Sequence, residues 1–153
     1  MSDSDWSVVV RLVAAVGVGG LIGWNRQLNN KPAGLGTHML VSLASALLVS
    51  IPEQLSPTPA IDGLSRVIQG VATGIGFIGA GEILRKDSPQ TYEQSTIKGL
   101  TSAAAIWATA ALGMLYGCGL WITAVTGSVL VMGILLFTKP LERSLSIAPK
   151  PKS

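Results

Sequence analysis

Charged side chains are scarce in this sequence. They make up 12% of the 153 residues, where a soluble domain carries about 25%. Cysteine occurs once, at Cys118, which excludes an internal disulfide and any cysteine-built metal cage. A lone thiol among apolar neighbours is read as a small filler. Histidine also occurs once, at His38, with no nucleophile or second ligand at a recognisable spacing. No enzyme constellation is in view, and the protein is expected not to be an enzyme. The opening residues MSDSDW lack the basic start of a cleavable signal, so the first apolar run is expected to remain as a helix.

What the sequence does have is long apolar runs, with 48% apolar residues overall. One of them, Leu64 to Leu84, is also full of glycine: Gly70, Gly74, Gly76, Gly79 and Gly81. About 20 apolar residues cross a bilayer as a helix. In an exposed soluble helix each glycine would cost roughly 1 kcal/mol relative to alanine, whereas in lipid small residues let backbones approach closely. Arg66, Gly70, Thr73, Gly74, Phe77 and Gly81 share one face, and Gly76 and Gly79 lie off it. Two smooth sides predict neighbours on both, so this segment is expected to be the central helix of a membrane bundle. Gly74 to Gly79 also matches G-x-G-x-x-G, but without the preceding strand and the acidic residue about 20 positions on that a dinucleotide site needs.

Taken in order, Trp6 to Arg26 is a first span, with Gly20 and Gly23 among its packing glycines and Arg11 placed to snorkel outward. After a polar loop, Thr37 is a candidate N-cap for a second run from His38 to about Ile51, short for a span unless Glu53 and Gln54 lie in the interface. Pro52, Pro57 and Pro59 mark the next connection. The glycine-rich helix follows, then a polar loop from Arg85 to Lys98. A fourth span runs from Gly99 to about Tyr116, Gly117 to Gly119 turn, and a fifth span from Leu120 to Thr138 is expected at the periphery. The fold expected is thus an all-α membrane bundle of about five helices, with residues 1–140 as the transmembrane domain and 141–153 as a basic tail.

Lysine and arginine set the orientation. Arg26, Lys31, Arg85, Lys86, Lys98 and the tail lysines fall on one side if there are five spans, which places them in the cytoplasm and the acidic N-terminus outside. Trp6 and Trp121 then mark the outer interface and Trp24 the inner one. The net charge of +3 follows this rule, so no nucleic-acid partner is expected. An internal repeat is visible: Gly20-Leu21-Ile22-Gly23 matches Gly76-Phe77-Ile78-Gly79. Each is followed by a Gly-Leu-Thr element ending at Thr37 or Thr101. Spans one and two would then be a parallel repeat of spans three and four.

The stretches GLIGWNRQ (Gly20 to Gln27), AGLGT (Ala33 to Thr37), GIGFIGAG (Gly74 to Gly81) and KGLTSAAAIWATAALG (Lys98 to Gly113), with Arg66 between them, resemble the MgtC/SapB family of bacterial membrane proteins. The resemblance runs from the first helix to the last. It implies an inner-membrane protein linked to growth under magnesium limitation and, in pathogens, to survival inside macrophages. Family members are described both as magnesium transporters and as regulators of other membrane proteins, the F-type ATP synthase among them. Asn25, Gly36, Glu82 and Lys98 depart from the family pattern. The sequence also ends too early for the soluble ACT-like domain that some members carry, so functions of that domain are not expected here.

A magnesium path needs converging oxygen ligands, usually carboxylates. The spans contain one carboxylate, Glu82, so Mg2+ at Glu82 is the one metal reading, set against an ion pair with Arg85. No other cofactor is expected. Glu53 and Asp62 are read as solvated loop charges. A functional site is expected where the first four helices end in the cytoplasm, from Arg26, Thr37, His38, Lys98 and Thr101 with Glu82, while Arg66 is a separate candidate on the glycine face. There it could receive a phosphate-bearing ligand, an acidic partner segment, or a cation on Glu82 and the threonine hydroxyls. The partners expected are the lipid bilayer, a second copy of the chain, or another membrane protein. The functional readings are a regulator or adaptor in low magnesium, a transporter or channel for a small ion, and a structural bundle that assembles with another protein.

Overall fold

The computed structural model describes residues 3–55, 61–84 and 99–145. Over these it is helical throughout: α1 (Asp3–Leu28), α2 (Leu35–Leu55), α3 (Ile61–Leu84), α4 (Leu100–Gly117) and α5 (Trp121–Leu145), joined by short turns where the connections are described. α1, α2 and α4 are each long and apolar enough to cross a membrane, and α5 adds an apolar stretch, Trp121–Phe137. α2 runs through Pro52 to Leu55 rather than stopping near Ile51. α5 continues past residue 140, and the tail from 146 lies outside the described residues.

Two helix ends close in the same way. Asn30 sits at φ 50°, and Lys31 N–H reaches Arg26 O at 3.0 Å while Asn30 N–H reaches Gln27 O at 3.0 Å. Gly119 sits at φ 70°, with Leu120 N–H to Leu115 O and Gly119 N–H to Tyr116 O, both 3.0 Å. These are Schellman closures, in which a left-handed residue turns the chain and satisfies the last carbonyls. The expected turn at Gly117 to Gly119 is thereby found.

The expectation that α3 is the central helix is overturned. α4 packs against α1, α2, α3 and α5, whereas α3 packs on α4 and more lightly on α2. The reason lies in which glycines meet a neighbour. A Cβ added to Gly113 would collide with the Ser42 backbone of α2, and one added to Gly117 would lie 2.7 Å from Ala46 O. On α1, a Cβ at Gly19 would lie 2.6 Å from His38 O and one at Gly23 2.7 Å from the Leu35 Cα. The pairs Gly19/Gly23 and Gly113/Gly117 are thus small-xxx-small seams clasping α2 from two sides. By contrast, among the described residues a Cβ at Gly70, Gly74, Gly76 or Gly81 of α3 meets nothing within 4 Å, and one at Gly20 touches only the flexible Met39 side chain. Of the expected α3 packing positions only Gly79 has a neighbour among the described residues, the Ala103 Cβ at 3.4 Å.

With no hydrophobic force between helices in lipid, close packing and interhelical hydrogen bonds hold such a bundle. Ala15, Val18 and Ile22 of α1 pack with Ala46 of α2, with Ala105, Leu112 and Tyr116 of α4, and with Ala124 and Leu135 of α5. Val41, Val71, Ile75, Ile106 and Ala110 join α2, α3 and α4. Ser42 Oγ donates to Ala15 O at 2.7 Å, tying α2 to α1. α5 lies at the edge as expected, with Ile122, Val129 and Leu130 facing outward.

At the end opposite the α1–α2 loop, Arg11 and Glu53 correct two expectations. Arg11 does not simply snorkel, and Glu53 is not a free loop charge. Arg11 donates to Glu53 Oε2 at 2.8 Å and to Gly117 O at 3.4 Å, joining α1, α2 and the end of α4.

Candidate functional site

Four elements end together around Arg26. The last turn of α1 carries Arg26, where a cation suits the negative end of the helix dipole. The first turn of α2 carries His38, the last turn of α3 carries Glu82, and the first turn of α4 carries Ser102. All four side chains are buried. Arg26 Nη2 donates to Ser102 Oγ at 2.8 Å. The charge of Glu82 acts on Arg26, and that of Arg26 acts on His38. Among the described residues Arg26 and Glu82 nevertheless make no direct ion pair, which is found only between Arg11 and Glu53.

The local backbone explains the approach. His38 Nδ1 lies 2.9 Å from Gly34 O, and a carbonyl only accepts, so Nδ1 carries the proton of the neutral ring and Nε2 is left as an acceptor. Gln27 Oε1 accepts from Leu35 N–H at 3.2 Å and so caps α2 from the end of α1. Gly99, at φ 101°, starts α4 against α3, where a Cβ would stand 2.9 Å from Glu82 O. Among the described residues three atoms in the cluster find no hydrogen-bond partner: Arg26 Nε, His38 Nε2 and Glu82 Oε1. Buried polar atoms are nearly always paired, so three exceptions in one place mark a site.

Of the residues expected here from sequence, Arg26, His38 and Glu82 come together. Thr37 and Thr101 do not join them: both are exposed on the helix surfaces. Thr37 lies inside the first turn of α2, which begins at Leu35, so it is not the N-cap. Arg66 is exposed on α3, far along the helix from Glu82. Lys98 and Arg85 lie outside the described residues. Ser102 and Gln27 were not expected. Ser102 had a signal, since it directly follows the Gly-Leu-Thr element just as His38 does.

The donor set does not fit Mg2+. Among the described residues no three His, Cys, Asp or Glu side chains group as metal ligands. The Arg26 guanidinium would also compete with a cation for Glu82, and the exposed threonine hydroxyls cannot complete a shell around it.

Comparison with known proteins gives consistent likenesses. The model of the MgtC family matches residues 12–144. Protein SrpB of Synechococcus elongatus is 44% identical over 149 residues, covering 94% of this chain and 81% of SrpB. YhiD of Escherichia coli (strain K12), named as a candidate magnesium transporter, is 40% identical over 83% of this chain and 58% of its own length. Protein MgtC of Brucella abortus is 34% identical over 88% of this chain and 52% of its own length. The chain therefore spans little more than half of YhiD and MgtC. No solved structure matches.

Proposed function

The chain belongs to the MgtC family, and on that premise we propose that it is a non-enzymatic inner-membrane protein serving adaptation to low magnesium as a regulator or adaptor of another membrane protein. The observation that carries this reading is the face of α3 that no described residue covers. A Cβ at Gly70, Gly74 or Gly81 meets nothing within 4 Å among the described residues, and Phe77 beside them is 84% exposed. Small-residue faces of this kind seat partner helices in lipid. The orientation in this reading has the N-terminus outside and the C-terminus in the cytoplasm. Reporter fusions at Ser88 and Ser153 should report cytoplasm and one at Pro57 the outer side; an external signal at Ser88 would reverse it.

A second reading, transport of Mg2+ or another small ion, rests on the name given to YhiD. Purified protein in liposomes separates the two. The adaptor reading expects no Mg2+ flux. It also expects that Gly74→Leu leaves membrane abundance intact while abolishing both rescue of growth in low magnesium and crosslinking of α3 to a partner. Saturable Mg2+ flux by the purified protein would replace the adaptor with a transporter.

A further inference from the structure

The three atoms around Arg26 that find no partner among the described residues differ in kind. Nε–H of the guanidinium is a donor, Oε1 of the Glu82 carboxylate is an acceptor, and Nε2 of His38 is an acceptor because Nδ1 holds the proton toward Gly34. The three residues are only 3%, 9% and 0% exposed respectively. An unmet buried polar atom destabilises the fold, and membrane surroundings offer it no second chance to pair. One donor and two acceptors are complemented by a species with one lone pair to give and two hydrogens to donate.

We propose that Arg26, His38 and Glu82 bind one small uncharged molecule carrying two O–H or N–H donors and a lone-pair acceptor, with water as the occupant that solvent supplies. It accepts from Arg26 Nε–H and donates to Glu82 Oε1 and His38 Nε2. Arg26 is tied to the start of α4 by Ser102, and Gly99 just before it packs on the Glu82 backbone, so α4 brings the ends of α1 and α3 together. Ser102, holding Nη2 at 2.8 Å, fixes the guanidinium from α4 and leaves Nε–H for the occupant. The residues come from α1, α2 and α3, so the bound molecule joins helices of which α1 and α3 do not otherwise pack on one another. A metal cation would meet the Arg26 charge, and an anion would meet Glu82; each leaves part of the set unmet. Buried waters typically make about three hydrogen bonds to otherwise unmet groups, which is the number offered here. The site stands whether or not α3 takes a partner helix.

Because His38 is the only histidine, labelled histidine reports this one position. Water-edited solid-state NMR in lipid bilayers should show water polarisation reaching the His38 ring well before the methyl of Ala124, which is fully buried. The ring should carry its proton on Nδ1. A His38 ring as slow as Ala124, or a dipolar distance placing Arg26 Nε in direct contact with the Glu82 carboxyl, would overturn the proposal. Titration with Mg2+ or inorganic phosphate should leave the His38 resonances in place, and a saturable shift with either would overturn the uncharged ligand class. Arg26→Met combined with Glu82→Leu should abolish the rapid transfer, and its persistence would count against the site. Should that variant fail to accumulate, the comparison of His38 with Ala124 in the parent decides the matter alone.

Discussion

Arg26 and Glu82 hold the same place in two successive helix pairs. Each lies three residues beyond a glycine that seats its helix on the next one, Gly23 on Leu35 and Gly79 on Ala103, and two residues before the helix ends. His38 and Ser102 correspond likewise, each following the threonine of a Gly-Leu-Thr element. The buried cluster is therefore built from two equivalent positions used twice, with opposite charges at one and hydrogen-bonding side chains at the other. α1 packs with α2, α3 with α4, and α2 meets α4 between them, as a parallel pair of helix hairpins would require. A repeat that placed the same charge at both positions would force two like charges together in low dielectric.

That arrangement makes the two charges interdependent. Arg26→Met leaves Glu82 buried without its counter-charge, and breaking a buried charge pair costs about 3–5 kcal/mol. The absence of direct contact puts the expected loss toward the lower end of that range. Arg26→Met with Glu82→Leu should lose less than the sum of the single changes, because no buried charge is then left over. Denaturation in detergent, followed by helical circular dichroism, measures both. Strictly additive losses would mean that the two side chains act independently.

The glycines give a contrast that can be read from abundance and melting. Gly113→Leu drives a branched side chain into the Ser42 backbone, and Gly23→Leu drives one into Leu35. Overpacking typically costs about 1–3 kcal/mol, and more where backbone is the obstacle, so both variants should fail to accumulate. A Cβ at Gly74 meets nothing within 4 Å among the described residues, so Gly74→Leu should fold. A Gly74→Leu protein that melts far below the parent would return α3 to the centre of the bundle.

The helices and their order were legible because each is a long apolar run bounded by polar or proline-containing segments, and length alone separates such runs from their loops. Which helix lies at the centre was not legible. Glycine marks a close approach only when another backbone is there, and the seams Gly19/Gly23, Gly113/Gly117 and Gly70/Gly74 look alike in sequence. Ser42 and Ala46 of α2 decide between them, a pairing across more than sixty positions that spacing within one helix cannot reveal. Arg26, His38 and Glu82 were legible as candidates because polar groups near apolar runs stand out. The threonines misled because helix periodicity had to be counted from Leu35, two residues before the cap that Thr37 suggested.

Cys118 offers a test of the opposite end of the bundle. It lies in the turn between α4 and α5, half-buried, near the Arg11–Glu53 pair. Burial is the main cause that pushes its thiol above the ordinary range; the Glu53 carboxylate adds to this and the Arg11 guanidinium opposes it. The thiolate is the reactive form, so alkylation by maleimide at mildly alkaline pH should be slower than for an exposed cysteine, with its pH–rate curve displaced upward. The sign for stability follows from linkage. The folded thiol keeps its proton longer than the unfolded one, so this contribution is full below the unfolded thiol's range and is lost as pH rises from there through the folded thiol's higher range. Glu53→Gln should bring the pH–rate curve down toward the ordinary position. Arg11→Gln should raise it further, because the one cation opposing the shift is removed. Opposite movement in the two variants identifies the electrostatic contribution, whereas equal acceleration in both would show only that the turn had opened.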